Sequence, residues 1–410
     1  MIELPTEYTT ALEEVLGQSL TRQALEDRRG KEFVRTITSS ISQISQGLTK
    51  DRSTFLRSKY LSNPALQRAY LLYYTTTNLL KLWPPLRELA ASGFFGRSSS
   101  VKHLDLGAGT GAAVWGLATY LKHEQRGIQT LSNFSTDVLP QNLRTIGAFN
   151  AHFTRHISPL KIDLRTAQMD LAGQKPMEGE TYDLITLMNV VNEIDEERDA
   201  QLISRLTSLI AERGAVIMIE PSTREQSRRA LRFRDQMVEA GFHVYAPCCR
   251  TNECPALQNE GDWCHTEVRW KRPEFIKAID DLAGTLRLSL KSTYAIFLKE
   301  DLNLSDFLLS KSHQAIPHRD FHTAGRIVSE RFDEKGRVRM FVCNERGRKE
   351  YILNKRDRTP RNKAAMDARR YDLVQIEGIE LREHDTKIAR ESVINILNNA
   401  EGLENVDNLG

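Results

Sequence analysis

The stretch that decides the fold is HLDLGAGTG, which spans residues 103–111. A short apolar run carries the acid Asp105 near its end, and glycines then alternate with other residues until a helical pattern begins. These glycines are Gly107, Gly109 and Gly111. Glycine permits a sharp strand-to-helix turn without a Cβ clash and lets a ligand approach the backbone, and a helix start offers that ligand unsatisfied N–H groups. The stretch predicts a ligand-binding turn; a glycine-rich turn without a ligand is the alternative.

The region around this turn alternates short apolar runs with helical stretches between residues 99 and 245. Helical stretches follow the first, second, fourth and fifth of five predicted strands. These strands are Val101–Leu106, Ile128–Phe134, Thr166–Met169, Leu184–Met188 and Ala215–Glu220. Because such alternation is typical of βαβ units, the sequence predicts an α/β fold with a parallel sheet.

The flanking regions have different patterns. Residues 1–98 show helical spacing and predict a helical N-terminal region whose aromatic side chains belong to a core. We expect the α/β domain to cover residues 99–300, with a Cys-rich insertion at 247–290. A small basic β-rich domain is predicted over residues 301–375, and residues 376–410 are predicted to form a polar tail.

Charge and hydropathy limit the class of protein. Residues 311–370 hold 17 Lys and Arg against 8 Asp and Glu, whereas the whole chain carries a net charge of only +3. This local excess indicates either a solvated surface or a footprint for an anionic polymer. No apolar run approaches the ~18–20 residues of a membrane helix, and residues 1–10 lack the pattern of a secretory signal. We therefore expect a soluble intracellular protein that does not bind membranes.

The five cysteines all follow position 247, and four of them fall within 17 residues. They are Cys248, Cys249, Cys254, Cys264 and Cys343. In a reducing compartment this clustering favours a metal site over disulfides, and thiolates prefer Fe–S clusters, Zn or Cu(I). Four interpretations remain: buried thiols, a disulfide, a zinc site that adds His265 or Cys343, and a four-thiolate [4Fe–4S] cluster.

The glycine turn resembles motif I of class I S-adenosylmethionine (SAM)-dependent methyltransferases, and differs from the Gly-x-Gly-x-x-Gly dinucleotide fingerprint. This resemblance implies a Rossmann-like sheet in which the glycine loop passes the methionine part of SAM and Asp105 holds its amino group. Asn133 takes the place of the family's ribose-binding acid, with Asp137 four residues further on. Asp170 falls where the family often has an acid near the adenine, and Asn189 begins the exit of the fourth strand. No catalytic base can be named, since the Asn/Asp-Pro-Pro-aromatic pattern of base-amine methyltransferases is absent from this exit.

Taken together, the motifs resemble the mitochondrial small-ribosomal-subunit methyltransferase-like family, which also has bacterial members. The resemblance covers roughly residues 60–375. Its motifs here are Leu104–Gly111, Asn189–Ile194, Glu220–Ser222, Ala246–Cys248, Cys254-Pro255, Trp263–His265, Tyr294 and Cys343. It implies an assembly factor that associates with the small ribosomal subunit and contacts its rRNA.

The same resemblance implies a [4Fe–4S] cluster whose ligands are Cys248, Cys254, Cys264 and Cys343. Cys249 stands where the family usually has Pro and is predicted not to be a ligand. Eleven basic residues are then candidates for phosphate contacts: Arg326, Arg337, Arg339, Arg346, Arg348, Lys349, Lys355, Arg356, Arg358, Arg361 and Lys363. The resemblance also adds the mitochondrial matrix as an alternative to a cytoplasmic location.

The first hypothesis is a SAM-binding methyltransferase-fold protein with an Fe–S cluster that acts on the small ribosomal subunit. It is either an rRNA methyltransferase or an assembly factor without catalysis. The alternative is a SAM-dependent methyltransferase of a small molecule or protein, with zinc in place of the cluster.

Overall fold

The computed structural model describes residues 1–50, 52–171, 179–311 and 323–398. The chain forms two compact units. The first unit contains residues 1–86, 95–219 and 268–290, and the second contains residues 87–94, 220–267 and 291 onward.

The N-terminal part of the chain is helical, as predicted, apart from the two-residue strand β1 (Ile2–Glu3). Its helices are α1 (Thr6–Leu16), α2 (Arg22–Glu26), α3 (Arg28–Lys50), α4 (Arg52–Arg57), α5 (Pro64–Ala69), α6 (Thr76–Leu79) and α7 (Trp83–Ala91). Local signals account for several ends. Asn63 caps α5 because its side chain accepts from the backbone N–H groups of Ala65 and Leu66, and Gly17 ends α1 in the left-handed conformation.

Five parallel strands and four helices follow, which confirms the predicted α/β fold. The strands are β2 (Ser100–Leu106), β3 (Thr130–Asp137), β4 (Lys161–Gln168), β5 (Tyr182–Met188) and β6 (Ile210–Glu220). The helices are α8 (Ala112–Glu124), α9 (Pro140–Phe153), α10 (Asp199–Leu209) and α11 (Arg224–Glu239). The strands pair in the order β4-β3-β2-β5-β6. The order therefore reverses between β2 and β5, and such a point is where open α/β sheets bind ligands.

Two strands differ from their predicted bounds, and the difference in β3 lies at the end that reaches the site. The apolar run predicted β3 to stop at Phe134, but the strand continues to Asp137. The extra residues, Ser135 and Thr136, are polar and fully buried. β4 begins at Lys161, five residues before the predicted start.

The middle of the chain adds three strands, β7 (His243–Ala246), β8 (Thr266–Lys271) and β9 (Ser289–Leu298), and the helix α12 (Glu274–Ala283). β7 pairs antiparallel with β9, and β1 pairs with β8. Helix α13 (Leu304–Lys311) follows.

The C-terminal part forms a separate six-stranded sheet, as predicted for a small β domain. Its strands are β10 (Thr323–Ile327), β11 (Phe332–Asp333), β12 (Arg337–Asn344), β13 (Gly347–Asn354), β14 (Leu373–Leu381) and β15 (Thr386–Asn398). They run in the order β10-β14-β15-β13-β12-β11, and β10 also pairs with β12. A core of alternating apolar residues fills the space that these strands enclose.

The prediction of a polar tail from residue 376 is wrong over residues 376–398, because most of β14 and all of β15 lie there. β15 is a central strand that pairs with β14 on one side and β13 on the other. Its polar residues alternate with buried ones such as Ile388 and Ile394. A strand with one solvated face looks polar on average.

The described residues include no helix that is both long and apolar enough to span a membrane.

Candidate functional site

A cavity of about 270 Å³ in the first unit lies where β2, β3, β4 and β5 end. The glycine loop, the start of α8 and residues that follow each strand line it. Of the predicted cofactor-binding residues, the lining includes Asp105, Gly107, Gly109, Asp170 and Asn189. Five residues separated by up to 84 positions in sequence therefore share one cavity.

Glycine is required at three points of the loop for different reasons. Gly107 has φ +70°, and a Cβ there would lie 2.6 Å from Val190 Cγ2. Gly111 has φ +91° and precedes α8, and a Cβ would collide with the Trp115 ring. Gly109 has φ +55°, but a Cβ would meet only open space. Gly109 thus leaves room in the cavity, whereas Gly111, which is not among the described lining residues, shapes the turn.

Asp105 presents a buried carboxylate to this cavity. Its Oδ1 accepts a hydrogen bond from Thr186 Oγ1 at 2.8 Å, while its Oδ2 is buried without a hydrogen-bond partner among the described residues. Burial raises the pKa of Asp105 to about 7; the Thr186 hydrogen bond opposes this rise and the charge of Asp137 adds to it. A buried acceptor without a partner is costly, so the site is complete only when a donor binds beside Oδ2.

A buried histidine extends the hydrogen bonds behind Asp105. Asn133 donates its Nδ2 hydrogen to Ser135 Oγ, so its Oδ1 is the acceptor for His103 Nδ1 at 2.7 Å. His103 Nε2 lies 2.9 Å from Thr186 Oγ1. Burial lowers the pKa of His103 to about 4; the ring is therefore neutral and carries a single N–H.

The prediction that Asn133 contacts the cofactor is corrected by this arrangement. Asn133 is buried within β3, its side chain is used by His103 and Ser135, and it is not among the described lining residues. The strand ends four residues later at Asp137, which does line the cavity. Asp137 accepts from the backbone N–H groups of Gly109 at 2.8 Å and Leu139 at 2.7 Å. It therefore both lines the cavity and braces the glycine loop.

Asp170 and Asn189 reach the cavity from the ends of their strands. Asp170 follows β4 and is exposed. Asn189 follows β5 with φ +61°, a conformation that Asn tolerates better than most residues. Its backbone N–H donates to the carbonyl of Ile219 at 2.8 Å, which fixes the start of the strand exit.

Sequence reasoning missed two tyrosines of the helical N-terminal region that line the same cavity, Tyr60 and Tyr70. Their ring centroids are 6.3 Å apart, and Tyr70 stacks on Tyr74 at 5.1 Å. The prediction had assigned these aromatics to a core, which holds for Tyr73. Helical periodicity is the same for a ring that faces a core and one that faces a cavity, so the sequence contained no signal that separates them.

The acceptor groups of the cavity fit SAM. Asp105 Oδ2, which has no hydrogen-bond partner within the described part of the chain, suits the amino group, and Asp137 suits the ribose hydroxyls. The open space beside Gly109 leaves room for a ligand against the backbone. Apolar side chains at the strand ends, Val138, Leu139 and Met169, offer a surface for the adenine ring.

The four cysteines predicted as cluster ligands lie in the second unit, on three segments of the chain. Cys248 and Cys254 lie in the loop after β7, Cys264 lies just before β8, and Cys343 lies on β12. Burial raises the pKa of the Cys343 thiol, and the charges of Cys248, Cys264, Cys249 and Cys254 raise it further. The thiols therefore share one electrostatic neighbourhood.

Buried and half-buried side chains hold the backbone at Cys248, Cys254 and Cys264. Asn303 Nδ2 donates to the carbonyl of Cys248 at 2.7 Å, and Asp235 accepts from the N–H of Cys254 at 3.0 Å. The carbonyl of Cys264 accepts from Ser227 and Thr293 hydroxyls at 2.6 and 2.8 Å, and its Sγ lies 3.4 Å from Tyr371 Oη.

Helix α11 organises the loop that carries these cysteines. Arg228 donates to four backbone carbonyls, those of Ala256, Leu257, Asn259 and Asp262. Arg234, which is 1% exposed, donates to the carbonyls of Arg250 and Asn252. Within the described part of the chain, however, no three His, Cys, Asp or Glu side chains are arranged to hold a single metal ion.

The basic stretch divides into buried and exposed cations. Arg326 is 3% exposed and pairs with Glu88 at 2.9 Å, so it is not a phosphate contact, contrary to the prediction. Arg348 pairs with Asp262 at 3.0 Å. The exposed cations of the connection between β13 and β14 are Arg356, Arg358, Arg361, Lys363 and Arg369.

Comparison with solved structures finds methyltransferases at low similarity. A TehB-like SAM-dependent methyltransferase from Corynebacterium glutamicum has 16% identity and a TM-score of 0.30 over 53% of this chain and 95% of that chain. An O-methyltransferase family protein from Burkholderia thailandensis has 14% identity and a TM-score of 0.35 over 65% and 72%. The glycopeptide N-methyltransferase MtfA in complex with SAM has 11% identity and a TM-score of 0.32 over 52% and 87%.

A search of curated proteins found no match. A family model described as mitochondrial small ribosomal subunit Rsm22 matches residues 68–375, which include the glycine loop and all five cysteines. The chain therefore belongs to the Rsm22 family of mitochondrial small ribosomal subunit proteins.

Proposed function

We propose that this chain binds SAM in the glycine-loop cavity and methylates RNA of the small ribosomal subunit. The observation that carries the proposal is the buried Oδ2 of Asp105, a residue of the cavity lining, which has no hydrogen-bond partner among the described residues. SAM supplies an activated methyl group when bound. The chain's own residues then bind and orient: Asp105 holds the amino group, Asp137 the ribose, and the glycine loop keeps the backbone open.

Family membership supports the small ribosomal subunit as the partner and the mitochondrial alternative for location. The exposed cations between β13 and β14 supply charge for phosphate contacts. Such contacts position a protein on RNA without reading its sequence.

The proposal includes a [4Fe–4S] cluster bound by Cys248, Cys254, Cys264 and Cys343. Its support is a set of four thiols, the usual ligand type and number for this cluster, which perturb one another electrostatically. A cluster also spaces its four thiolates more widely than a single ion does, which is compatible with the lack of a single-ion arrangement among the described residues. Bound there, it would tie β12 to the loop after β7.

Methyl transfer tests the catalytic part. Small subunits purified from cells that lack this protein are incubated with the full chain and SAM labelled on its methyl group. We expect label in the rRNA, reduced by Gly109→Ala at limiting SAM and retained by Gly17→Ala, since both glycines have positive φ and open space but only Gly109 lines the cavity. SAM binding without any transfer would leave an assembly factor without catalysis and overturn the methylation claim.

Metal and sulfide analysis of anaerobically purified protein tests the cluster. We expect about four iron and four sulfide per chain. Cys254→Ser should lose them, while Cys249→Ser should keep them as the matched control. One zinc per chain and no sulfide would overturn the cluster and favour the zinc alternative.

A further inference from the structure

The five longer strands of the C-terminal sheet close into a barrel of defined connectivity. Since β10 pairs with both β14 and β12, the pairing runs β10-β12-β13-β15-β14 and returns to β10. In chain order, β10, β12, β13, β14 and β15 are strands 1 to 5 of the barrel. Their order around the barrel is therefore 1-2-3-5-4, and strand 4 pairs again with strand 1. All pairs are antiparallel except β13 with β15, which are the third and fifth strands. This is the connectivity of the OB-fold, a five-stranded barrel.

OB-folds bind oligonucleotides on the face of their second and third strands and on the adjoining loops. Here these strands are β12 and β13. One end of the pair is occupied by the cysteine segment, because Arg348 on β13 pairs with Asp262. A Cβ at Gly347 would lie 3.7 Å from Arg250 Nη1. A ligand is therefore confined to the opposite end, where Arg337 and Arg339 begin β12.

An exposed aromatic ring marks that opposite end. Phe332, on β11 beside β12, is 42% exposed and pairs in register with Arg339. The Arg339 guanidinium lies 5.2 Å from the centroid of the Phe332 ring. An exposed ring fixed beside a cation is a platform on which a nucleobase can stack.

The charge around this ring favours a polyanion. Arg331 and Lys335 flank β11, Arg337 begins β12, and all three are exposed. The nearby acids are held in ion pairs: Asp333 with Lys355 at 2.6 Å, Glu334 with Arg337 and Arg339 at 2.5 and 2.7 Å, Glu350 with Arg339, and Glu330 with Arg370 at 4.0 Å. Arg331 and Lys335 belong to none of these pairs and are therefore the cations most available to a phosphate.

We propose that this open end of the barrel binds single-stranded RNA, with one base stacked on Phe332 and the exposed cations on the flanking phosphates. The inference deepens the proposed function, on which it rests for the choice of RNA, by naming the RNA site and the single-stranded form of the ligand. This site is distinct from the exposed cations between β13 and β14. The aromatic residue of that connection, Tyr371, is buried and cannot stack on a base.

Fluorescence anisotropy of the full chain with a labelled single-stranded oligouridine tests the proposal. We expect Phe332→Ala to weaken the Kd about tenfold, in line with the loss of one base–aromatic stack. Phe332→Tyr should restore binding, and Ile396→Ala, at another exposed apolar residue of the barrel (39% exposed), should not change it. Thermal melts and SAM titrations should be the same for all four proteins, because Phe332 lies on the surface.

Equal affinity of Phe332→Ala and wild type would overturn the stacking site. Duplex RNA of equal length bound as tightly as the single strand would also overturn it. A different outcome would separate the two proposals. If the wild-type chain does not associate with small subunits but its oligouridine binding depends on Phe332, the proposed partner is wrong and this RNA site remains.

Discussion

Asp105 is the residue of the cavity lining best suited to bind a positively charged group of a ligand. Its Oδ2 is buried without a partner in the described chain. A carboxylate that meets an ammonium group there gains a charge-assisted hydrogen bond. Asp105→Asn keeps the size of the side chain and removes its charge. We expect the Kd for SAM to rise at least about tenfold at pH 8, where the wild-type carboxyl is ionised, measured by isothermal titration calorimetry.

The pH dependence of SAM binding follows from the same residue. Burial raises the pKa of Asp105 to about 7, and a bound cation stabilises the ionised form, so binding below pH 7 must release a proton. Affinity should therefore increase as the pH rises from 6 to 7, where the amino group of SAM keeps its proton. At pH 6.5 the binding enthalpy should differ between buffers of different ionisation enthalpy for wild type but not for Asp105→Asn. A wild-type affinity that is constant between pH 6 and 8 would contradict this account.

The glycine loop and its acid were predictable because their chemistry is local: a strand, a turn and a helix start lie within nine residues. The acid on the ribose side, Asp137, was not predictable. The apolar run predicts that the strand ends at Phe134, but the buried polar residues Ser135 and Thr136 continue it. Ser135 and Thr136 are buried because strands pack on both sides of them, and the local sequence does not indicate those neighbours. Asp137 rather than Asn133 thus reaches the cavity.

Among the elements, β15 is a central strand of the barrel, although its sequence predicted a polar tail. Ile388 is 1% exposed and Ile396 is 39% exposed on the same strand. Ile388→Asp places an uncompensated charge in the barrel core and should cost about 3–5 kcal/mol of unfolding free energy. Ile396→Asp should stay within about 0.5 kcal/mol of wild type. Urea denaturation measures both; equal effects would contradict the central position of β15.

Helix α11 acts as the support of the cysteine loop. Arg228→Met removes hydrogen bonds to four backbone carbonyls. We expect faster amide hydrogen exchange over residues 255–262 and a lower melting temperature. Arg224→Met, at an exposed position near the start of the same helix, is the matched control and should exchange like wild type. Unchanged protection in Arg228→Met would show that the loop is held by other contacts.

At the scale of the whole molecule, the small net charge of +3 conceals a basic segment, residues 311–370, which holds 17 Lys and Arg against 8 Asp and Glu. The structure reduces the set of cations that can contact RNA. Arg326 is buried in an ion pair, whereas Arg358 and Arg361 are exposed. Double substitution Arg358→Glu and Arg361→Glu should weaken association with small subunits and flatten its salt dependence, since fewer counterions are released. Sedimentation at several salt concentrations measures this, and an unchanged salt slope would exclude these residues from the contact.

The central claim is that the glycine-loop cavity binds SAM, and a calorimetric titration of SAM into wild type, Gly109→Ala and Gly17→Ala tests it most directly. Gly109 and Gly17 have φ +55° and +59°, and neither has an atom within 4 Å of an added Cβ. Both variants should therefore lose a similar 1–2 kcal/mol or so of stability to the left-handed backbone. Only Gly109→Ala should weaken SAM binding, by about tenfold or more. Absence of SAM binding to wild type, or equal binding by all three proteins, would contradict the account.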